Sequence, residues 1–349
     1  MRVLLIKTSS LGDVVHTLPA LTDALRAIPS IRFDWVVEEG FAEIPCWHPA
    51  VDQVIPVAIR RWRKHPLQTW RSGEWHDFKK RIHQQKYDLV IDAQGLLKSA
   101  WLTRGFKVPV VGFNRQSARE PIASYFYDRP IFVPREQHAV ERVRQLFAQA
   151  LRYALPKQIG EYSLHRERLA IAEQHAPYVL FLHGTTWPSK HWPQTAWRAL
   201  AEQLSEQGIA VRIPWGSAEE EQRAHFIAEG LPQVTVLPRL NITGVAGQIA
   251  GAQACVAVDT GLGHLAAALD VPCVSLYGPT LPGRVGAYGQ GQVHLCAPGP
   301  NAGLGDRNLP CFDQLGAEQV LAALRPLLAP TAQDQQSDTQ QVVHDKDAG

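Results

Sequence analysis

The stretch "VLLIKTSSLGDVVHTLPAL", residues 3–21, joins a short apolar run to a segment whose apolar residues recur at helical spacing. The run over 2–6 predicts a β-strand, and the spacing over 13–28 predicts a helix that Pro29 ends. A polar loop with Gly12 and Asp13 lies between them. Because a strand that leads through a loop into a helix is the first half of a βαβ unit, this stretch predicts an α/β fold with a parallel sheet.

The alternation of strands and helices continues through the first half of the chain and restarts in the second. Further strands in the first half are predicted at 32–38, 53–57, 87–95 and 108–113. In the second half, strands are predicted at 178–186, 209–216, 234–238, 254–258 and 273–280, with helices at about 192–206 and 316–328. Each half therefore predicts a doubly wound, Rossmann-like domain, with a ligand cleft where the strand-end loops of the two domains face each other.

The length of the chain also favours two domains. Its 349 residues exceed the roughly 250–300 at which a single core stops growing. The tail has no apolar period and is expected to be disordered. The expected division is an N-terminal domain at 1–155, a linker at 156–177, a C-terminal domain at 178–312, a closing helix at 313–329 and the tail at 330–349.

Composition narrows the function classes. The 35 basic and 33 acidic residues nearly cancel, so only local clusters can indicate a charged partner. No apolar run approaches the roughly 18–20 residues that cross a bilayer, and the N-terminal run is too short and too charged for a secretory signal. The five scattered cysteines are typical of reduced thiols in a cytoplasmic protein. Since His and Cys never occur at zinc-ligand spacing, and the only Asp-x-Asp triplet lies in the tail, neither a metal nor a cofactor is expected.

The segment "VDTGLGHLAAAL", residues 258–269, has the pattern of an anion-binding turn. Asp259 and Thr260 end a strand, Gly261 frees the backbone to approach a ligand, and His264 lies at the start of an Ala-rich helix. Free N–H groups at a helix N-terminus attract phosphates. The simpler interpretation is a turn that needs glycine only for its dihedral angles. "GLGHLA" also matches the dinucleotide fingerprint G-x-G-x-x-A.

Two other strand ends offer groups suited to a nucleotide sugar. "HGTTWPSKHW", residues 183–192, supplies the hydroxyls of Thr185 and Thr186 and the ammonium group of Lys190, which can stabilise a departing diphosphate. Glu219 and Glu220 follow a third strand, where a carboxylate can hold sugar hydroxyls. Taken singly, Lys190 is compatible with a solvated lysine, and acids are common in the first turn of a helix.

Asp13 is a candidate catalytic base in the first half. At the first turn of a helix a carboxylate tends to stay ionised, and Gly12 lets the loop fold tightly against a cleft. An ionised Asp13 could take the proton from an acceptor hydroxyl as that hydroxyl attacks a sugar carbon. A plain helix N-cap is the competing interpretation.

The segment "IRRWRKHP", residues 59–66, is strongly basic. No acidic residue occurs from Val54 to Gly73, whereas an ordinary solvated helix face mixes charges of both signs. Such a cluster favours a polyanionic ligand, either nucleic acid or a phosphorylated lipid at a membrane surface. No RNA- or DNA-binding module is recognisable and the sequence pI is about 8.3, so nucleic acid is not expected. The basic candidates are Arg60, Arg61, Arg63, Lys64, Lys98 and Arg119.

The chain resembles glycosyltransferase family nine, the lipopolysaccharide heptosyltransferases of Gram-negative bacteria, and within it the enzymes that add the first heptose. The resemblance spans residues 1 to about 300. It implies a GT-B fold and metal-independent, inverting transfer of L-glycero-D-manno-heptose from ADP-heptose to the inner Kdo of Kdo2-lipid A, at the cytoplasmic face of the inner membrane. The stretches that carry it are "KTSSLGDVVHTLPALTDA", "FDWVVEEGFAEIP", "VIPVAIRRWRK", "DAQGLLKSA", "AREPIAS", "KHWP" and "VDTGLGHLAAALDVP…YGPT".

The resemblance also implies roles for individual residues. Asp13 matches the catalytic base, and Lys190 is expected to act on the leaving diphosphate. The family pattern of the donor loop is HATT followed by two acidic residues before the lysine, so Trp187 and Pro188 are departures that are predicted to stiffen this loop. Expected donor contacts are Thr185, Thr186, Lys190, Glu220, Leu240, Asp259, Thr260, Gly261 and His264. Expected acceptor contacts are Ser10, Arg60, Arg61, Arg63, Lys64, Lys98 and Arg119.

Three other functions remain open at this point. A heptosyltransferase of the second type would share the fold and the donor. An NAD-dependent dehydrogenase would explain "GLGHLA", but the acidic residue expected about 20 positions later is missing. A non-enzymatic adaptor that binds anionic lipid would explain the arginine cluster and would leave Asp13 without a role.

Overall fold

The computed structural model describes residues 1–170 and 176–328, which fold into two α/β domains. The strands are β1 (Arg2–Ile6), β2 (Arg32–Glu38), β3 (Val51–Val57), β4 (Leu89–Asp92), β5 (Val110–Phe113), β6 (Arg129–Ile131), β7 (Tyr178–Leu182), β8 (Ala210–Ile213), β9 (Val234–Val236), β10 (Ala254–Val258), β11 (Cys273–Tyr277) and β12 (Gln292–Cys296). The helices of the first domain and the linker are α1 (Leu11–Val15), α2 (Leu18–Ala27), α3 (Ile59–Lys64), α4 (Pro66–Ser72), α5 (Glu74–Ile82), α6 (Leu97–Ala100), α7 (Ala139–Leu151) and α8 (Arg166–Leu169). Those of the second domain are α9 (Gln194–Glu206), α10 (Ala218–Ala228), α11 (Ile242–Gly251), α12 (Gly261–Ala268), α13 (Pro282–Val285) and α14 (Ala317–Leu328).

Each domain is built on a six-stranded parallel sheet. The strand orders are β3-β2-β1-β4-β5-β6 and β12-β11-β10-β7-β8-β9. Numbered from its own first strand, each sheet follows the order 3-2-1-4-5-6, which is that of a doubly wound dinucleotide-binding fold. The predicted fold class, two Rossmann-like domains of the GT-B kind, is confirmed.

The strand order locates one ligand crevice in each domain. In an open α/β sheet, ligands bind beyond the carboxyl ends of the strands where the order reverses. That point lies between β1 and β4 in the first domain and between β7 and β10 in the second. Asp13 lies in the first turn of α1, which follows β1, and Asp259 lies directly after β10, so both predicted centres follow a strand at a switch point.

The predicted helix over 13–28 is divided in two. The first helix begins earlier, at Leu11, and ends at Val15, and the second begins at Leu18. Two local features explain the break. The Thr17 hydroxyl donates to the carbonyl oxygen of Asp13 at 2.8 Å, and Pro19, which has no N–H to donate, is tolerated only in the first turn of a helix.

Buried apolar residues of the two domains form one continuous cluster. It extends from Leu5 in β1 through Val14 in α1 to Leu265 in α12 and Leu180 in β7. The segment that follows α7 is anchored to the first domain, because the buried Arg144 guanidinium donates a hydrogen bond to the carbonyl oxygen of Gln158 at 3.0 Å. The domains therefore pack through their switch-point helices.

Some of the predicted segments lie only partly within the described residues. Residues 171–175 of the predicted linker and the tail at 330–349 lie outside them, and the closing helix is described as α14, Ala317–Leu328. Among the helices of the described ranges, none has both the length and the apolarity needed to span a bilayer.

Candidate active site

The helix that carries Asp13 meets the predicted phosphate-binding turn of the other domain. A Cβ atom on Gly12 would lie 2.6 Å from Cδ2 of His264, and a Cβ on Gly261 would lie 2.6 Å from Cδ2 of Leu11. Real Cβ atoms do not approach heavy atoms so closely, so both glycines are required by the contact. The sequence predicted glycine here for tight folding against a cleft, and the structure identifies the neighbours that demand it.

Asp13 is held by its own loop. Its Oδ2 accepts a hydrogen bond from the backbone N of Ser10 at 2.8 Å, and the Ser10 hydroxyl lies 3.2 Å from the same oxygen. Its Oδ1 lies 3.4 Å from Nζ of Lys7, and 32% of the side chain remains exposed. Burial by itself raises the pKa of Asp13, but the ammonium of Lys7 and the bonds from Ser10 leave that pKa below its ordinary value. Ser10 takes the N-cap position, so Asp13 is not the helix N-cap.

A small cavity of about 90 Å³ opens beside Asp13. Its lining includes Lys7, Gln94 and Arg119 from three separate loops. Gln94 joins the ends of β1 and β4, since its Oε1 accepts from the backbone N atoms of Thr8 and Ser9 at 3.0 and 3.1 Å. The switch point of the first domain is therefore a polar, partly open site in which three cations, Lys7, Arg119 and Arg142, line the cavity with one carboxylate.

In the second domain, Asp259 lies at the centre of a hydrogen-bonded cluster. Its Oδ2 lies 2.5 Å from Nζ of Lys190 and accepts from the Thr280 hydroxyl at 2.6 Å. Its Oδ1 lies 4.0 Å from Nε2 of His264. The Thr185 hydroxyl donates to the Asp259 carbonyl oxygen at 3.0 Å, which links the ends of β7 and β10. Asp259 thus orients the cation and hydroxyl that the sequence assigned to a diphosphate.

The donor loop is braced by aromatic and backbone contacts. Nζ of Lys190 lies 4.4 Å from the ring centroid of Trp187, and Cζ of Arg307 lies 4.6 Å from it. The Ser189 hydroxyl donates to the carbonyl oxygen of Asp306 at 2.8 Å. Thr186, next to this braced segment, is exposed. The departure from the family pattern at Trp187 therefore gives Lys190 a fixed aromatic neighbour.

The remaining donor candidates surround the same strand ends. Oε2 of Glu220 accepts from the backbone N of Gly216 at 2.8 Å, at the end of β8. A Cβ on Gly184 would clash with Oε1 of Glu220, so glycine in "HGTT" makes room for this carboxylate. Leu240 is half-buried and packs against the apolar core shared by the two domains. Thr260 forms the N-cap of α12.

Two buried histidines, His16 and His264, and the half-buried His138 line the contact between the domains. Nε2 of His16 and Nδ1 of His264 share a hydrogen bond of 3.3 Å, and the rings of His16 and His138 lie 5.4 Å apart. His138 donates from Nε2 to the carbonyl oxygen of Gly286 at 3.0 Å. Burial lowers the pKa of His264 to about 4 and lowers the pKa values of His16 and His138 as well. All three imidazoles are therefore neutral at neutral pH.

The basic segment forms α3. Some of its positive charge is already paired with acidic side chains, which the sequence pattern did not indicate. Arg61 forms ion pairs with Glu39 at 3.0 Å and Glu74 at 2.8 Å, from neighbouring segments. Arg60 contacts the ring of Phe41, with Cζ 5.5 Å from its centroid, and Arg63 is exposed. Lys64 is exposed, and it borders a shallow pocket with Arg60 and Arg61.

Lys98 connects this basic surface to the base. Its Nζ donates to the Ser9 hydroxyl at 3.0 Å, in the loop that leads to Asp13. Burial lowers the pKa of Lys98, and the nearby Arg60 and Arg63 lower it further. Arg119 approaches from another loop and lines the cavity beside Asp13. Lys98 and Arg119 therefore approach the surroundings of Asp13 from two separate segments, and Arg60 and Arg63 lie near Lys98.

Several site residues were missed in the sequence. Lys7 and His16 flank Asp13 in the opening stretch, and a charge directly after a strand is a usable signal for Lys7. Thr280 ends the "YGPT" loop, where a hydroxyl after a strand is a similar signal. No sequence pattern around Arg307 indicates a role, because its contact with Trp187 forms only when the chain is folded.

These features, two Rossmann-like domains with a glycine-rich turn at a helix start in one and an ionised carboxylate in the other, are those of a two-domain glycosyltransferase. The model of "Glycosyltransferase family 9 (heptosyltransferase)" matches residues 75–308. The chain belongs to this family.

Individual relatives agree with the family. The chain is 67% identical over 304 residues to lipopolysaccharide heptosyltransferase 1 of Pseudomonas aeruginosa, with 85% of this chain and 86% of the relative covered. The Escherichia coli heptosyltransferase WaaC solved with ADP superposes with a TM-score of 0.87 at 49% identity, covering 94% of this chain and all of that one. The same enzyme with ADP-2-deoxy-2-fluoro heptose gives 0.84 at 48%, covering 93% and 99%. The predicted family and enzyme class are confirmed, and the dehydrogenase and adaptor interpretations are set aside.

Proposed function

We propose that this chain transfers L-glycero-D-manno-heptose from ADP-L-glycero-β-D-manno-heptose to the inner Kdo of Kdo2-lipid A, with inversion and without a metal. We propose further that the enzyme acts at the cytoplasmic face of the inner membrane of a Gram-negative bacterium. The lipopolysaccharide heptosyltransferase 1 of Pseudomonas aeruginosa supports heptose transfer to lipopolysaccharide, and the relatives solved with ADP and with ADP-2-deoxy-2-fluoro heptose support the donor. The second heptosyltransferase type is disfavoured because the 67% match is to a type 1 enzyme.

One observation carries the proposal. The Gly12–His264 contact sets the helix of the ionised Asp13 directly against the turn that begins α12. A base in one domain and a diphosphate site in the other must face each other if an acceptor hydroxyl is to attack a nucleotide sugar from the side opposite to the leaving group.

The chemistry is one displacement. The acceptor hydroxyl oxygen forms a bond to C1 of the heptose while the bond from C1 to the β-phosphate oxygen breaks. Asp13 takes the hydroxyl proton, and the electron pair leaves with ADP. A low pKa keeps Asp13 ready to accept this proton, and the ammonium of Lys7 holds the carboxylate in place.

The negative charge that develops on the departing ADP has to be stabilised by cationic groups and hydrogen-bond donors. Lys190 and the hydroxyls of Thr185 and Thr186 suit the phosphates, together with the free N–H groups of the turn at Gly261. Asp259 holds Lys190 at 2.5 Å and is better suited to orienting it than to touching a phosphate, since two anions repel. Glu220 is placed to hold hydroxyl groups of the donor.

The acceptor is bound by the basic surface on the other side of Asp13. Exposed Arg60 and Arg63 suit lipid A phosphates, and Lys98 and Arg119 suit the Kdo carboxylate beside the base. Each basic residue near an anionic bilayer contributes on the order of 1 kcal/mol, which also supports peripheral binding to the membrane surface.

An assay of ADP release tests the proposal directly. ADP-heptose is supplied with Kdo2-lipid A, with the singly heptosylated product, or with no acceptor, and the anomeric configuration of the product is read by NMR. We expect ADP release that depends on Kdo2-lipid A and an α-linked heptose. Release only with the heptosylated acceptor would indicate the second enzyme type, and a β-linked product would contradict inversion.

A further inference from the structure

An apolar groove lies beside the basic surface and has no role in the proposed reaction. Its volume is about 810 Å³, and it is lined mainly by aromatic and aliphatic side chains of α3, α4 and α6 and their flanking segments. We call it the tryptophan groove; it is bounded by Trp62, Trp70, Trp75, Leu97, Trp101 and Phe126.

The groove leaves large apolar side chains in contact with solvent. Trp70 is 80% exposed, and its helix neighbour Leu67 is 77% exposed. Leu97 and Trp101 on the facing segment are also exposed. Contiguous apolar surface of this kind is unfavourable in water and marks a binding site, since covering it releases about 25 cal/mol per Å².

The inner wall of the groove is rigid. Nε1 of Trp62 donates to Oε2 of Glu74 at 2.8 Å, and the rings of Trp62 and Trp75 pack edge to face at 5.7 Å. The Trp75 ring stacks on Phe78, whose side chain is fully buried. The groove is therefore preformed, so filling it requires little ordering of the inner wall.

The charges at the groove are mainly positive. Arg63 and Lys98 line it, and Arg104 lies with Cζ 4.6 Å from the ring centroid of Trp101. Glu120 is the acidic residue of the lining, and its Oε2 accepts from the backbone N of Leu97 at 2.6 Å. The tryptophan groove, with cations at its border, therefore fits an amphiphile that has an anionic head and a hydrocarbon chain.

We propose that the tryptophan groove binds an acyl chain of the anionic glycolipid acceptor. The inference rests on the proposed function and adds a site for the lipid part of that substrate. Lys98 argues for the acceptor rather than a bulk lipid, because this one side chain lines the groove and also bonds to Ser9 in the loop that holds Asp13. One molecule can thus place its sugar hydroxyl at the base, its phosphates on the cations and its chain in the groove.

The test compares acylated and deacylated acceptors. KM is measured for Kdo2-lipid A in detergent micelles and for its fully deacylated glycan, with the full-length chain and the double variant Trp70→Ser, Leu97→Ser. We expect the variant to raise KM for the acylated acceptor about tenfold, since it removes two large apolar contacts. KM for the deacylated glycan and for ADP-heptose should stay unchanged. Leu304→Ser, at another exposed leucine outside the groove, is the matched control and should change nothing.

The outcomes are distinguishable. Equal KM shifts for both acceptors, or no shift for either, would overturn the acyl-chain site. Loss of binding to phosphatidylglycerol vesicles with an unchanged ratio of the two KM values would assign the groove to the bilayer instead and would also overturn it. If the wild-type chain transfers heptose to neither acceptor, the proposed function itself fails.

Discussion

At the scale of single residues, the proposed chemistry depends on two charged side chains whose neighbours set their state. Lys7 and Ser10 keep Asp13 ionised, and Asp259 and Trp187 hold the ammonium of Lys190. Both arrangements are formed by side chains and backbone groups of the chain itself.

Replacing Asp13 by Asn should remove the base while keeping the shape of the side chain. We expect turnover to fall about 10²–10⁴-fold, because the amide cannot accept the hydroxyl proton, with ADP-heptose affinity nearly unchanged. Steady-state kinetics and calorimetric donor binding measure the two effects. Asp52→Asn makes the same chemical change at a half-exposed carboxylate that pairs with Arg2, and it should retain activity. Near-normal turnover of Asp13→Asn would remove Asp13 from the mechanism.

Trp187 should position Lys190 through its ring face. Trp187→Leu loses a cation–π contact worth about 0.5–2 kcal/mol, so we expect a drop in kcat/KM of between about twofold and thirtyfold. Trp187→Phe keeps an aromatic face and should recover part of the loss. Lys190→Ala should cost more, about 10²–10³-fold in kcat, as for a lost donor to a leaving group. If Leu and Phe at position 187 behave alike, the ring does not position Lys190.

At the scale of elements, two short helices begin at the two switch points and pack on each other. Gly12 in α1 and Gly261 in α12 permit this contact, and the histidine pair crosses it. Asp13 and the turn proposed to bind phosphate are therefore positioned by helix packing rather than by long loops.

A methyl group at Gly12 should separate these helices. Gly12→Ala puts a Cβ 2.6 Å from Cδ2 of His264, and we expect a cost of about 1–3 kcal/mol to the domain contact with a loss of kcat. Small-angle scattering should show a larger radius of gyration. Gly40→Ala is the control, because a Cβ there meets nothing within 4 Å. Unchanged scattering and kcat would show that this close approach is dispensable.

The arginines of α3 should not contribute equally to acceptor binding. Arg63→Gln removes an exposed charge and should raise the acceptor KM about fivefold, the effect of roughly 1 kcal/mol. Arg61→Gln should have a smaller effect, because Glu39 and Glu74 already neutralise Arg61. Donor KM should stay constant in both. An equal loss of donor affinity would contradict the assignment of α3 to the acceptor.

At the scale of the whole molecule, the interface between the domains is sensitive to protonation. Burial lowers the pKa of His16, and the neighbouring His264, His138 and Lys7 lower it further. Asp259 and Asp13 raise the pKa of His264, but burial outweighs them and leaves it near 4. The packed interface therefore requires neutral rings.

Acid should weaken this interface. Because the histidine pKa values are lower in the packed state than the ordinary 6.5, their contribution is complete above about pH 6.5 and is lost as the pH falls toward 4. For His264 we expect a loss of about 2 kcal/mol between pH 7.5 and pH 5, read as a lower melting temperature. His16→Gln replaces one titrating ring by a neutral amide and should reduce the pH dependence. An equally steep dependence in the variant would place its origin elsewhere.

How much could be predicted from the sequence depends on the range of the interactions involved. β2, the glycine-rich turn before α12 and the place of Asp13 after the first strand follow from local patterns, because apolar spacing and glycine act over a few residues. The break between α1 and α2 was missed, because it depends on one hydroxyl and one proline within a regular apolar pattern. The pairing of Arg61 with Glu39 and Glu74 was missed because those acids lie outside the basic segment.

The sequence by itself determined two doubly wound domains, the chemical groups at their strand ends and the family to which the chain belongs. Only the tertiary structure decided that α1 packs on α12, that Arg307 braces Trp187 and that four tryptophans border one groove. These contacts join residues far apart in the chain. Their geometry follows from how two sheets and their helices pack, and no local pattern of residues encodes that packing.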